Sequence, residues 1–162
     1  MTHHPFPPLY NNQSKILILG SFPSVKSREQ MFFYGHPQNR FWKVISAVFG
    51  SDMPETIEEK RAFLLMHKIA LWDVIASCEI TGSADSTIKN VVANDISAIL
   101  NAADIKRIYV NGKTAEKYFN QHMKKQIGRE AVCLPSTSPA NAVWSIDRLI
   151  DAWSAVKDSF DA

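Results

Sequence analysis

The sequence holds little that would mark a metalloprotein, a secreted protein or a membrane protein. Only two cysteines, Cys78 and Cys133, occur in 162 residues, and neither stands at a ligand spacing such as CxxC. We therefore expect no metal ion and no iron–sulfur cluster. No apolar run approaches membrane-spanning length, and residues 1–10 lack a basic segment followed by an apolar core. These absences predict a cytoplasmic protein with reduced thiols and no membrane partner.

Several common catalytic and cofactor motifs are missing as well. There is no GxGxxG and no Walker loop, so a glycine-rich phosphate cradle has no support and we expect no cofactor. No GxSxG is present, which argues against a serine hydrolase. Charge of one sign is not in excess either, because 18 basic and 16 acidic residues leave a net charge of +2. The basic residues that gather in 106–129 are typical of a solvated helix face, with a phosphate track as the alternative.

What the sequence does contain is the alternation of an α/β domain. Hydrophobic residues make up 46% of the chain, which is sufficient for one proper core. Residues 1–14 hold three of the eight prolines, and we expect an irregular segment that is dispensable for chemistry. A single domain over 15–162 is predicted, in which four parallel strands form a sheet covered by helices on both faces, a three-layer αβα sandwich. The predicted strands are 16–19, 69–74, 105–110 and 131–134.

Residues 15–42 form the stretch around which we expect a site. The first predicted strand, ILIL, is continuously apolar, as in parallel sheets buried on both faces. It ends at Gly20, and ligands commonly bind where such strands end. In the turn that follows, Pro23 adds stiffness and Phe22 offers an aromatic ring that can stack on a planar ligand. This turn is therefore a candidate binding site.

The loop YGHPQNR at 34–40 adds a phenol, an imidazole, two amides and a guanidinium. Two interpretations of this loop stay open. Asn39 is either an N-cap of the helix that starts at Arg40 or a site residue. His36 is either an acid/base group or a side chain that holds the loop through a backbone hydrogen bond. The residues alone do not decide between them.

Four blocks of the chain span nearly all of it from Lys15 onward. They are GSFPS (20–24), YGHPQNRFW (34–42), ALWDV with GSADSTI (70–74 and 82–88), and LPSTSPAN (134–141). These blocks resemble the uracil-DNA glycosylase superfamily, and especially its hypoxanthine-DNA (deoxyinosine) glycosylase branch. The second block, which is the most specific, is also similar to one in the mismatch-specific uracil/thymine glycosylases.

This resemblance implies a uracil-DNA-glycosylase-like fold and a monofunctional hydrolase that acts in base excision repair. Such an enzyme cleaves the N-glycosidic bond of deaminated bases in DNA, hypoxanthine foremost and uracil in addition. We expect a monomer whose partner is DNA containing a damaged base. Two alternatives remain: a glycosylase specific for G:U and G:T mismatches, and a non-catalytic nucleotide- or DNA-binding module.

The resemblance also suggests residue roles, with one departure from the mismatch-specific pattern. Phe22 stands where those enzymes have a catalytic asparagine, so the catalytic role passes to Asn39, whose side-chain carbonyl can orient a water. The expected base-binding residues are Gly20, Ser21, Phe22, Pro23, Tyr34, Gly35 and His36. The expected DNA-binding residues are Ser136, Thr137, Ser138, Pro139 and Asn141. The expected supporting residues in the loops are Asp73, Asp85 and Ser86.

Overall fold

The computed structural model describes residues 1–160. Four of its strands form a parallel sheet in the order β3-β2-β6-β7, which confirms the predicted central sheet. The other three form a small antiparallel sheet in the order β1-β4-β5. In chain order the strands are β1 (Thr2–His3), β2 (Ile16–Gly20), β3 (Ile69–Asp73), β4 (Ile75–Glu79), β5 (Lys89–Ala93), β6 (Arg107–Asn111) and β7 (Val132–Leu134).

Helices cover both faces of the parallel sheet. They are α1 (Val25–Gln30), α2 (Phe41–Val48), α3 (Ile57–Met66), α4 (Ser97–Ala102), α5 (Lys113–His122), α6 (Lys124–Ile127) and α7 (Ile146–Asp158). Helices α2, α3 and α7 share a core with one face of the sheet, and α4 and α5 share a core with the other. The three-layer αβα prediction is therefore confirmed. None of the helices in residues 1–160 is both long and apolar enough to span a bilayer.

The central strand β2 explains why the two layers form. All five of its residues are buried, and its side chains alternate between the two cores. Ile16 and Ile18 lie in the core of α2, α3 and α7, whereas Leu17 and Leu19 lie in the core of α4 and α5. A strand with apolar residues at every position is stable only in this doubly covered place.

The prediction of an irregular segment at residues 1–14 is wrong in part. Thr2–His3 pairs antiparallel with β4, and Leu9 forms an isolated bridge with Leu71. Phe6 and Leu9 are 6% and 4% exposed, respectively, so the segment contributes to the core. The prolines limit the length of its strand but do not keep its apolar residues from being buried.

The region after β3 contains two strands in addition to the four that were predicted. Strands β4 and β5 form an antiparallel pair there, and the register shifts between Ile75 and Ser77 and again between Ser77 and Glu79. These irregularities explain why no regular alternation was visible in the sequence. The turn between the two strands includes a 3-10 helix, Asp85–Thr87.

Candidate active site

A pocket of about 930 Å³ opens where the parallel strands end at their carboxyl edge. Much of its lining comes from such ends: the turn after β2, the end of β3, the turn after β6 and the loop after β7. The turn between β4 and β5 and the loop before α2 supply the rest. Of the predicted site residues, it is lined by Gly20, Ser21, Tyr34, Asn39, Asp73, Asp85, Ser86, Ser136, Thr137, Ser138 and Asn141. The fold therefore brings together residues from all four sequence blocks.

Gly20 and Asp73 form the floor of the pocket. They are register partners at the ends of β2 and β3, so their side-chain positions lie next to each other. A Cβ atom on residue 20 would lie 2.4 Å from Asp73 Oδ1 and 3.0 Å from Tyr34 Oη, closer than packed atoms come. Glycine is required at position 20 because these two polar atoms occupy the space beside it.

Asp73 is held by a histidine from the amino-terminal segment. His4 Nε2 lies 2.7 Å from Asp73 Oδ2, and the two side chains are only 3% and 6% exposed, respectively. The imidazole is surrounded by aromatic rings, of which Phe6 is nearest at 4.5 Å between centroids and Phe22 lies edge-on at 6.1 Å. This contact argues against the prediction that residues 1–14 are dispensable for chemistry.

Tyr34 presents its hydroxyl to the same floor. Its ring stacks on Phe41 with centroids 4.2 Å apart, and its backbone has a left-handed φ of 52°. Asn111 Nδ2 donates to Tyr34 Oη at 3.2 Å. Burial and the nearby Asp73 carboxylate raise the pKa of the Tyr34 hydroxyl well above its usual range, so the group stays protonated. One face of the Tyr34 ring packs against Phe41, so the hydroxyl is the part of this side chain that can make a polar contact in the pocket.

Asn39 is fixed by its side-chain oxygen. Asn39 Oδ1 accepts from the backbone N–H of Phe41 at 2.9 Å and from the Thr137 hydroxyl at 2.9 Å. A carbonyl oxygen has two lone pairs, so both are used. The predicted orientation of a water by this carbonyl is therefore wrong, and the group left for a ligand is the Nδ2 amide. Arg40, not Asn39, is the N-cap residue of α2, although the Asn39 bond to Phe41 does support the helix start.

Thr137 links this network to the last loop. It is 0% exposed, and its backbone N–H donates to Asn111 Oδ1 at 3.1 Å while its hydroxyl accepts from Asn111 Nδ2 at 3.0 Å. A side chain so enclosed cannot contact a DNA phosphate. The predicted DNA-binding role of Thr137 is corrected to an internal support for Asn39.

Arg40 fastens the loop after β7 to the start of α2. Its guanidinium donates to the backbone carbonyls of Ser138 at 3.1 Å and Asn141 at 3.0 Å, and also to that of Trp144. Because the guanidinium is used in this way, it does not face a ligand. Trp144 lines the pocket, and the Arg148 guanidinium lies over its ring.

The loop of the 3-10 helix closes the opposite wall. The Ser21 hydroxyl lies 3.3 Å from both carboxylate oxygens of Asp85, and Arg28 donates to the Gly82 carbonyl at 2.7 Å. Asp85 keeps solvent contact at the open mouth, yet desolvation by the pocket walls raises the pKa of its carboxyl, against the lowering effect of the Ser21 bond. This wall is tied to the turn after β2, in agreement with a supporting role for Asp85.

Five predicted site residues do not line the pocket: Phe22, Pro23, Gly35, His36 and Pro139. Phe22 is 8% exposed and belongs to the core of α4 and α5, so its predicted base stacking is corrected to a core role. The Nδ1 atom of His36 accepts from the backbone N–H of Gln38 at 3.1 Å, which favours the loop-holding interpretation. The backbone N–H of Gly35 donates to Ser27 Oγ at 2.8 Å and fastens the loop to α1.

Sequence reasoning missed the pocket wall formed by the turn after β6. This wall consists of Asn111, Gly112, Lys113, Thr114 and Glu116. Gly112 has a φ of +95°, and a Cβ atom there would lie 2.9 Å from Ser136 Cβ. The signal was available, because Asn-Gly directly follows a predicted parallel strand and such ends meet at one edge of the sheet. As for metal binding, residues 1–160 bring no three His, Cys, Asp or Glu side chains together in a way that could hold an ion.

Comparisons with known proteins all indicate the same family. A model of the uracil DNA glycosylase superfamily matches residues 7–157. A protein named hypoxanthine DNA glycosylase from Methanosarcina acetivorans is 35% identical over 153 residues, which cover 93% of this chain and 95% of the relative. A protein of the same name from Methanosarcina barkeri is 34% identical over 138 residues, covering 84% of this chain and 86% of the relative.

A solved structure agrees with the fold. The solution NMR structure of a candidate uracil DNA glycosylase from Methanosarcina acetivorans superposes with a TM-score of 0.79 at 34% identity, covering 93% of each chain. The chain described here belongs to the uracil-DNA glycosylase superfamily, as its four sequence blocks suggested.

Proposed function

We propose that this protein is a monofunctional DNA glycosylase that hydrolyses the N-glycosidic bond of hypoxanthine in DNA, with uracil as a second substrate. The two Methanosarcina relatives are named for the first of these activities, and their similarity extends over most of the chain. The pocket volume of about 930 Å³ lies in the range that holds a small ligand such as an extruded nucleotide. Only a base taken out of the duplex can reach a pocket of this kind.

The observation that carries the proposal is the orientation of the Asn39 amide. Cleavage of an N-glycosidic bond leaves negative charge on the departing base, and a positioned donor stabilises that charge as it develops. Asn39 Nδ2 can only face away from Phe41, because the backbone N–H of Phe41 requires an acceptor. We assign Asn39 the catalytic role through this donor. The Thr137 and Phe41 bonds hold it in place before the substrate arrives.

DNA is gripped in this proposal by the outer part of the loop after β7. Ser136, Ser138 and Asn141 line the rim of the pocket, and Pro139 lies exposed beside them. Val143 is 82% exposed in the same loop, which is unusual for an apolar side chain. An apolar side chain of this kind can fill the gap that an extruded base leaves in the stack. In this proposal the polar groups around Val143 make the contacts with the DNA phosphates.

We further propose that the enzyme acts as a monomer in the cytoplasm, without a cofactor. Light scattering at working concentration measures the oligomeric state directly.

The decisive experiment uses a set of duplex oligonucleotides, each with one test base: deoxyinosine, uracil opposite guanine, thymine opposite guanine, or no damage. After incubation, alkali cleaves the abasic sites. We expect the deoxyinosine strand to be cut fastest, uracil more slowly and the undamaged duplex not at all. Cutting confined to the two mismatches would replace the proposal with the mismatch-specific alternative, and no cutting of any duplex would refute glycosylase activity.

A further inference from the structure

Residues 2–9 form a strap that runs antiparallel beside β3 and β4. His3 is the register partner of Ser77 on β4, and Leu9 is the bridge partner of Leu71 on β3. Six residues separate His3 from Leu9 and six separate Leu71 from Ser77, so both pairs belong to one register. The strap therefore passes beside the end of β3, where Asp73 lines the pocket.

His4 is the side chain through which the strap reaches Asp73. Its Nε2 atom lies 2.7 Å from Asp73 Oδ2, and both side chains are almost fully buried. Its Nδ1 atom is buried and has no hydrogen-bond partner within residues 1–160. A proton on Nδ1 would be a buried donor without an acceptor, so the imidazole carries its proton on Nε2 and donates it to the carboxylate. Within the same residues, this bond is the one polar contact of the ring.

The surroundings of the imidazole are apolar. Four aromatic rings have centroids no more than 6.5 Å from it, those of Phe6, Phe22, Phe33 and Trp72. A phenylalanine would pack in such surroundings without an unpaired nitrogen, so packing alone does not account for a histidine at this position. What the histidine adds is a donor for a buried carboxylate, which is costly to bury in ionised form without a partner.

The side chain of Asp73 depends on this donor for its orientation. Its backbone is fixed separately, because the Asp73 carbonyl accepts from Asn94 Nδ2 at 2.9 Å. In the part of the chain that the structure describes, no second side chain donates to the carboxylate. His4 therefore holds Oδ2, while Oδ1 stays beside Gly20 on the pocket side. His4 also precedes residue 7, where the match to the superfamily model begins, so this support comes from outside the matched region.

We propose that His4 is a positioning residue and that the strap is a functional part of the active site. Docking of the strap brings Nε2 to Asp73 and holds the carboxylate in the orientation that a ligand in the pocket meets. A ligand that requires this orientation binds the docked form better, so ligand binding and strap docking favour each other to the same degree. The inference rests on the proposed function, since the ligand is the base of an extruded nucleotide.

Three substitutions in the strap test the positioning role. His4→Phe fills the aromatic surroundings but has no donor, and we expect single-turnover excision of deoxyinosine to fall about 10-fold or more. His4→Gln places an amide donor near the position of Nε2 and should recover most of the rate. His3→Phe is the matched control, because His3 is exposed in the same strap, and its rate should stay near that of the wild type.

Thermal melts show whether each of these variants is folded. A well-folded His4→Phe enzyme with the wild-type rate would overturn the positioning role. A well-folded His4→Gln enzyme that is as slow as His4→Phe would overturn it as well, because the restored donor would then have no effect.

A double-mutant cycle shows whether His4 acts through Asp73. Asp73→Ala removes the carboxylate that His4 holds, so adding His4→Phe to this variant should change the remaining excision rate by less than about 2-fold. If His4→Phe instead reduces the rate by the same factor with and without Asp73, the histidine acts by packing alone and the proposal is wrong.

Hydrogen exchange tests the coupling in the unmodified protein. The backbone N–H of His4, which bonds to the Ala76 carbonyl at 2.7 Å, reports opening of the strap. We expect saturating hypoxanthine to slow exchange at this position about 5-fold or more. The backbone N–H of Ser159, which bonds to the Ala155 carbonyl at 3.1 Å, is the control and should exchange at an unchanged rate. Unchanged exchange at His4 with hypoxanthine bound, or equal slowing at both positions, would contradict the coupling.

The proton on His4 Nε2 separates this inference from the proposed function. A proton held by a buried carboxylate exchanges slowly with water, so we expect its NMR signal in the wild type and in His3→Phe, and its loss in Asp73→Ala. A wild type that shows this signal but binds no base and cuts no duplex would refute the glycosylase proposal and still support the His4–Asp73 contact. A wild type that cuts deoxyinosine but lacks the signal would overturn the positioning role and leave the glycosylase proposal intact.

Discussion

The floor and the rim of the pocket are built in opposite ways. On the floor, Asp73 and Thr137 are 4% and 0% exposed, and each is held by side chains far away in the sequence. On the rim, Ala140 and Val143 are exposed, and their apolar side chains have no hydrogen-bonding group to hold them. Buried polar networks tolerate little change, whereas exposed contacts are individually weak. We therefore expect the floor to determine which base reacts and the rim to determine how firmly DNA is held.

The largest expected effect comes from the support beneath the floor. Phe22→Ala removes a buried ring beside His4 and should lower the free energy of unfolding by about 3 kcal/mol or more. Chemical denaturation of the variant measures this cost. Phe22→Leu, which keeps most of the volume, is the control and should stay much closer to wild type. Normal stability of Phe22→Ala together with lost excision would instead support the predicted stacking of Phe22 on the base.

Beside the floor, Asn39→Asp should separate the structural role of Asn39 from its proposed catalytic role. A carboxylate can accept from both Phe41 and Thr137, so we expect stability near the wild-type value. It lacks the Nδ2 donor, and single-turnover excision of deoxyinosine should fall about 10²-fold or more. Asn39→Ala should lose a similar rate and also about 1–2 kcal/mol of stability. An Asn39→Asp enzyme that works at wild-type speed would remove Asn39 from the mechanism.

Substitutions of two glycines allow a comparison of the pocket floor with the loop at 34–40. Gly20→Ala places a Cβ atom against Asp73 and Tyr34, and we expect at least a 10-fold loss of base binding with about 1–3 kcal/mol of destabilisation. Gly35→Ala meets mainly the end of the flexible Gln30 side chain, at 2.5 Å. We expect Gly35→Ala to lower the melting temperature and to leave base binding unchanged. Base titration by NMR decides between a floor position and a loop position for each glycine.

The rim should give smaller effects that depend on the form of the DNA. Val143→Ser removes an exposed apolar side chain, and we expect excision from a duplex to fall about 3- to 10-fold while excision from a single strand is unchanged. Val92→Ser is the control, since Val92 is 53% exposed on β5 and does not line the pocket. Equal losses on both forms of DNA would show that Val143 does not fill the gap that an extruded base leaves in the duplex.

The smallest expected effect concerns a single phosphate contact. Lys113 lines the pocket at the start of α5, and Lys113→Ala should weaken DNA binding slightly and reduce the salt dependence of log K by about 1. Lys106→Ala is the control, because Lys106 already pairs with Asp104 at 2.7 Å. A salt series with an undamaged duplex provides both slopes. Identical slopes for the two variants would show that Lys113 does not touch the backbone.

Much of the parallel sheet and part of the floor could be predicted because they depend on local patterns. Apolar segments that alternate with helical patterns located the four parallel strands, and the rule for strand ends located Gly20. The direction of a side chain in a turn is not a local property. After Gly20 the chain bends, and Phe22 enters the core of α4 and α5 instead of the pocket. Its aromatic character was visible in the sequence, but its direction was not.

The contacts that give the site its chemistry were also beyond sequence reasoning, because they join distant residues. His4 meets Asp73 across 69 positions, and Thr137 meets Asn39 across 98. No spacing rule predicts such pairs, and a Pro-rich segment gave no sign of carrying a buried histidine. Asn39 lines the pocket, and its catalytic role stays a prediction. The occupation of its carbonyl oxygen by Thr137 follows only from the tertiary structure.

The bond between Thr137 and Asn39 has a consequence for folding. Contacts between residues so far apart in sequence require a long loop to close, and they form slowly compared with local helices. The orientation of the Asn39 amide therefore depends on the joining of the loop after β7 to the segment that precedes α2. In refolding experiments, recovery of deoxyinosine excision should lag behind the return of helical signal. An incompletely folded or still growing chain would carry the Asn39 side chain without the orientation that we propose for catalysis, and we expect it to leave DNA intact.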